Sequence, residues 1–190
     1  MNPAPEQPVG TRDFASFMQA YQDMVFSTAV RLLGNDHQAE DIAQEVFVKA
    51  YEQFDNLRSS ESAGGWLKTV TTNLCLNYLS RYRKRWRLFS EMAGKDDDDE
   101  FDIETVTGVV GSDVVFEELD ADEQHQLLEA ALIKLPDHQR IPLVLYHFEG
   151  IAYDAIAAQL NVSLSKLKTD LLRGRAALAK AMQQHALQQV

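Results

Sequence analysis

Apolar residues in the first third of the chain recur at three- and four-residue steps: Phe14, Phe17, Met18, Tyr21, Met24, Val25, Ala29, Leu32 and Leu33. That spacing predicts one amphipathic helix. Gly34 and Asn35 end it, and Asp36 is placed to cap a second helix over DHQAEDIAQEVFVKAYEQFDNL. Ile42, Val46, Phe47, Ala50 and Phe54 form the stripe that faces a core there, while Glu40, Asp41, Gln44, Glu45 and Lys49 fall on or near the exposed side. A solvated helix face is the default meaning of that acidic side. Residues 55–65, DNLRSSESAGG, are rich in Ser and Gly and read as a loop. Trp66 then opens a third helix, through Leu67, Val70, Leu74 and Leu79 to Arg87. Counted from Gly65 it is about 35 Å long at ~1.5 Å per residue.

The periodicity fails from Glu91 to about Asp122, where KDDDDEFDIE is a run of like charges with too little apolar surface to fold. A flexible acidic linker is expected, with Phe101, Ile103 and Val106 as possible anchors. Order resumes with Leu127, Leu128, Ala131 and Leu132 in a helix that stops at Pro136. Pro142 is expected in the first turn of the next helix or at a kink in it. Ile141, Leu143, Val144, Leu145 and Phe148 supply a small core. They lie within residues 135–175, under the helix-turn-helix that this stretch describes. Ile156, Ala157 and Leu160 face inward from its first helix, Asn161 takes the positive φ of the turn, Val162 plugs the corner, and Ser163 caps the second helix. Leu167, Leu171 and Leu178 make that helix's apolar stripe. The fold class read from this pattern is all-α, with two small helical domains over residues 11–90 and 123–184, joined by an acidic flexible linker over 91–122.

Charge sharpens the picture once it is counted by segment. The formal net charge is −11, yet residues 1–90 hold 10 acidic and 10 basic side chains and residues 126–190 hold 5 acidic and 7 basic. Residues 91–125 hold 14 acidic and 1 basic, so the deficit is confined to the middle. Two near-neutral halves are therefore free to meet nucleic acid. On the last helix Ser165, Lys166, Thr169 and Arg173 share a polar side, with Lys168 and Arg175 on a flank. A polar, basic second helix suits the major groove, but a helical hairpin with a solvated lysine face has the same pattern. Asp170 is equally open: it either accepts from a cytosine amine or pairs with Lys166 and Arg173. In SRYRKRWRLF, five basic residues interleave with Tyr82 and Trp86. Phosphates need such charges and unstacked bases need flat rings, although basic residues also complement a helix C-terminus.

Cys75 is the single cysteine, between Leu74 and Leu76, and reads as a buried or half-buried thiol outside any disulfide framework. The start, MNPAPEQPVG, lacks the basic and apolar regions of a signal peptide, and no 18-residue apolar run occurs. A cytoplasmic protein without membrane insertion is expected. His37, His125, His138, His147 and His185 are scattered, with no HExxH and no phosphate-binding Gly loop. No enzyme activity, cofactor or metal is expected.

Three blocks, RLLGNDHQAEDIAQEVFVKAY, WLKTVTTNLCLNYLSRYRKR and ALIKLPDHQRIPLVLYHFEGIAYDAIAAQLNVSLSKLKTDLLRGRAAL, stand in the order and spacing of one family. Over residues 12–182 the chain resembles a bacterial extracytoplasmic-function (ECF) RNA polymerase sigma factor of the sigma-70 superfamily. The resemblance implies a sigma region 2-like three-helix domain and a sigma region 4-like helix-turn-helix domain. It also implies that the protein binds core RNA polymerase and recognises the minus ten and minus thirty-five promoter elements. Carried over, Asp36, Glu40, Asp41, Gln44 and Glu45 match the block that docks on polymerase, which displaces the solvated-face reading. Trp66, Asn73, Asn77, Arg81, Tyr82, Arg83, Lys84 and Arg85 match the part that melts and holds the minus ten strand. Ser165, Lys166, Lys168, Thr169, Asp170, Arg173 and Arg175 lie on the reader of the minus thirty-five element.

The resemblance gives the linker a course through the polymerase channels. About 30 residues of free coil span ~30 Å on average, against roughly 50 to 70 Å between the promoter elements, so polymerase sets the spacing. The chain departs from the family at Thr71 and Thr72, where Ala-Arg is frequent, at Ala155 where an acidic residue is usual, at Asn161 for Gly, and at Asp170 where Arg is common. Regulation by a separate anti-sigma factor is expected. The competing reading is a stand-alone helix-turn-helix regulator that acts without polymerase, which gives the acidic linker no purpose.

Overall fold

The computed structural model describes residues 9–90 and 121–188, with side chains described from Asp13 to Arg81 and, over most positions, from Glu123 to Gln184. Contacts divide the chain after Trp86 into two compact units. The described residues are helical, without strands: α1 (Val9–Leu33), α2 (Asp36–Glu52), α3 (Phe54–Leu57), α4 (Ala63–Ser90), α5 (Ala121–Ile133), α6 (Asp137–His147), α7 (Tyr153–Leu160) and α8 (Leu164–Gln188). The linker expectation lies, apart from its last two positions, outside the described residues.

In the first unit the predicted stripes meet. Val25, Ala29 and Leu32 of α1 and Ala39, Val46 and Ala50 of α2 are fully buried. Gly34 turns the chain at φ 65°, the left-handed region that favours a residue without a side chain. The cap of α2 is Asn35 rather than Asp36: its extended backbone (φ −148°, ψ 120°) aims its side-chain oxygen at the Gln38 amide, and Asp36 becomes the first helical residue. The segment expected as a loop is shorter than its composition implied, because Phe54 and Leu57 bury themselves in the one-turn α3. α4 also starts at Ala63, ahead of Trp66. Gly64 lies so near Tyr21 that a Cβ there would sit 3.3 Å from the ring, so close packing on α1 offsets the poor helix propensity of Gly64. Along α4 the inward face is Leu67, Thr71, Cys75 and Leu79, at four-residue steps, with Thr72 beside it. Cys75 is a buried thiol.

The second unit is built around α8. Ile141, Leu143, Val144 and Leu145 of α6, Ile156 of α7 and Leu167 and Leu171 of α8 are excluded from solvent, with Leu132 of α5. Pro142 is buried inside α6 rather than in its first turn; its missing N–H leaves the helix one bond short there. Gly174 sits on α8 opposite α6, where a Cβ would lie 2.7 Å from Leu143 Cδ1 and 3.3 Å from Gln139 Cβ. Arg140 is 4% exposed. Its guanidinium donates to the Leu135 carbonyl at 2.9 Å and to Asp137 Oδ1 at 2.6 Å, tying the end of α5 to the start of α6.

Candidate nucleic-acid interface

The corner between α7 and α8 follows from local chemistry. Asn161 ends α7 in the left-handed region at φ 55°, ψ 49°, and its N–H bonds back to the helix. Ser163 Oγ accepts the Lys166 N–H at 3.2 Å, capping α8. The first turn of α8 therefore begins at a fixed point. From it Ser165, Lys166 and Lys168 project into solvent, while Thr169 and Arg173 are half-buried. The Thr169 hydroxyl donates to the Ser165 carbonyl at 3.1 Å.

Asp170 corrects the sequence reading. It is 4% exposed, so it does not present a carboxylate to a base. Its Oδ2 lies 3.5 Å from Lys166 Nζ, the intrahelical pair that was the other expectation. At 100° per residue Asp170 falls about 60° from Leu167 around the helix, on the edge of the buried stripe, and that angle was the available signal. Arg175 is exposed but engaged. Its guanidinium donates to His147 Nε2 at 3.3 Å and to the Tyr153 hydroxyl at 3.1 Å, and lies 5.6 Å from the centre of the Tyr146 ring. These contacts tie α8 to α6 and α7. Sequence reasoning missed this cluster, since only the tertiary fold brings residues 22 and 28 positions apart together. Burial and then the Arg175 charge hold the His147 pKa below the ordinary histidine value, which favours the neutral ring.

On α4, Asn73, Asn77 and Arg81 lie exposed along one side and Trp66 is half-buried. Tyr82, Arg83, Lys84 and Arg85 continue the helix, with side chains outside the described residues. Thr71 and Thr72 are buried: Thr71 Oγ1 donates to the Leu67 carbonyl at 2.7 Å, and the Thr72 hydroxyl has no hydrogen-bond partner among the described residues.

On α2, Asp36, Glu40, Asp41, Gln44 and Glu45 are all exposed. Glu45 approaches Lys49 at 3.7 Å and Asp41 approaches His37 at 3.7 Å, i,i+4 spacings that leave both carboxylates in water. Glu40 and Gln44 also rim an open groove of about 860 Å³ between α1 and α2, floored by Phe14, Phe26 and Phe47. Val48 and Tyr51 line it while 60% and 56% exposed. Among the described residues no group of three His, Cys, Asp or Glu is placed to hold a metal, and no helix is long and apolar enough to cross a membrane.

Residues 17–87 match the family model of Sigma-70 region 2, and residues 125–178 that of Sigma-70 region 4. The ECF RNA polymerase sigma factor SigW of Bacillus subtilis is 31% identical over 169 residues, covering 89% of this chain and 88% of SigW. SigE of Mycolicibacterium smegmatis, also an ECF RNA polymerase sigma factor, is 32% identical over 170 residues, and the match spans 61% of that longer protein. A structure of the Bartonella quintana sigma factor RpoE with the anti-sigma factor NepR covers 90% of this chain and 98% of its own at 23% identity, with a TM-score of 0.47. That likeness adds nothing to the assignment. Two region models in the expected order, and an identity that runs along nearly the whole of SigW, show that the chain belongs to the ECF RNA polymerase sigma factors of the sigma-70 family.

Proposed function

We propose that this sigma factor binds core RNA polymerase through the exposed face of α2, holds the minus ten strand along α4 and reads the minus thirty-five element with the first turns of α8. The proposed domains are residues 11–90 for the first two tasks and 123–184 for the third, with 91–122 as the acidic linker. The observation that carries the reading is the start of α8. An αL corner at Asn161 and a Ser163 cap fix the helix end from which Ser165, Lys166 and Lys168 project. That is the geometry by which a recognition helix brings short polar and basic side chains to base edges.

Glu40 and Glu52 of α2 and Asp23 of α1 edge an apolar groove, which suits an amphipathic helical surface of polymerase with basic residues around an apolar ridge. Asn73, Asn77 and Arg81 offer donors and acceptors along α4 for an unpaired strand. Sigma factors are initiation factors rather than catalysts, and the cytoplasm is the proposed compartment. An anti-sigma factor is the proposed regulatory partner. Family membership disfavours the stand-alone regulator.

Reconstitution with bacterial core polymerase on promoter fragments tests these roles. Lys166→Ala with Arg173→Ala is expected to abolish promoter-directed transcription while core binding survives. Loss of core binding in that variant would overturn the division of labour. Tight, sequence-specific duplex binding by the protein without polymerase would restore the stand-alone reading.

A further inference from the structure

We propose that Asp170 is a positioning residue that fixes the Lys166 ammonium for base reading. The inference rests on the minus thirty-five reading of α8. Two side chains one turn apart differ sharply in surroundings: the Asp170 side chain is 6% exposed and that of Lys166 58% exposed, with 3.5 Å between Oδ2 and Nζ. The carboxylate is buried beside Leu171 at the edge of the apolar stripe that Leu167 and Leu171 form. It thus acts as a fixed negative point under a long cationic side chain. Lys166 is also held at its backbone, where its N–H donates to Ser163 Oγ at 3.2 Å.

A lysine free in water samples many rotamers and loses that freedom when it meets a base. The Asp170 carboxylate, 3.5 Å from Nζ, draws the ammonium to one side of the helix by charge and leaves its donors for a base. Two donors aimed together match the paired acceptors O6 and N7 that guanine alone presents in the major groove. Asp170 therefore acts on sequence without touching it. A second consequence is repulsion: the carboxylate lowers the general attraction of this end of α8 for phosphates.

The test uses the full chain reconstituted with core polymerase on a library randomised across the minus thirty-five element, with bound and transcribed sequences counted. Lys166→Ala is expected to lower discrimination at one base pair by about 5- to 100-fold. Asp170→Asn is expected to lower it at the same base pair by about 2- to 5-fold, the scale of a partly buried i,i+4 ion pair. Affinity for the remaining sequences should not fall, and the double variant should lose no more discrimination than Lys166→Ala alone. A merely structural Asp170 would weaken all sequences together and add to the loss from Lys166→Ala; either result overturns the inference. If Lys166→Ala changes no position, the minus thirty-five reading of Lys166 itself fails. If it acts and Asp170→Asn does not, only the positioning role fails.

Hydrogen exchange of residues 137–147 reports whether the Asn variant is folded. If it is not, side-chain ammonium relaxation in the wild-type chain decides: Lys166 is expected to be more ordered than the exposed Lys168, and equal mobility would refute the role.

Discussion

Arg140→Leu keeps an aliphatic side chain at the corner between α5 and α6 and deletes the guanidinium. In the structure that group is 4% exposed and reaches the Leu135 carbonyl at 2.9 Å, the Ile133 carbonyl at 3.5 Å and Asp137 Oδ1 at 2.6 Å. Removing a buried charge relieves its desolvation, and replacing a whole buried pair by apolar groups is often neutral. Here the balance differs, because the Asp137 side chain is 48% exposed and rehydrates, whereas the carbonyls of Ile133, the last residue of α5, and of Leu135 just beyond it lose a charged donor. One charge-assisted bond is worth about 1.5–3 kcal/mol, and an orphaned buried carbonyl costs about 1–3 kcal/mol. These terms overlap, and a net loss of about 2–3 kcal/mol is expected, a roughly 30- to 150-fold rise in the opening equilibrium of the second unit. Trp66 and Trp86 both precede the unit boundary, so tryptophan fluorescence does not report this loss. Hydrogen exchange with peptide resolution does. Protection in α6 and the end of α5 should fall by the stated factor while α1 and α2 keep theirs. A fall of less than about fivefold would show that water or Asp137 replaces the guanidinium at no cost, and an equal fall in α1 would refute the local account.

Gly174→Ala should destabilise the second unit by about 1–2 kcal/mol despite the better helix propensity of Ala, because the new methyl meets Leu143 at 2.7 Å; urea unfolding followed by exchange measures it. Thr72→Val, which swaps an unpartnered buried hydroxyl for a methyl of like shape, should leave the first unit equally stable or firmer by up to about 1 kcal/mol in thermal unfolding. His147 has its pKa lowered in the folded chain by burial and then by Arg175, so the unfolded chain binds more protons over the interval below about 6.5. The stability it contributes is complete above that value and lost as pH falls through the lowered folded one. His147→Gln should flatten this part of the urea midpoint against pH, and an unchanged slope would exclude the linkage.

What sequence alone conveyed divides by the range of the interaction. The αL corner at Asn161 and the Ser163 cap are settled within four residues, and both are present as expected. The apolar stripes of α1, α2 and α8 likewise follow from their periods. Choices between adjacent candidates were not legible: Asn35 and Asp36 are both good caps, and the backbone angles at Asn35 decide between them. Nor was packing that reverses propensity, as where Gly64 nests against Tyr21 and α4 starts three residues early. Buried charge was hardest. Asp170 and Arg140 look like surface residues by type, and only their neighbours place them inside.

α8 runs unbroken for 25 residues, from the capped turn beyond Asn161 through the core contacts of Leu167 and Leu171 to Gln188. It is thus a single rod of about 37 Å at 1.5 Å per residue, serving at one end as a probe and along its middle as the keel of the unit. Pivoting such a rod by ~5° about one end swings the other by roughly 3 Å, comparable to the spacing of neighbouring base pairs. If α8 reads the promoter as proposed, a tilt imposed at its far end or by α5 and α6 against its middle reaches the bases as a change of register.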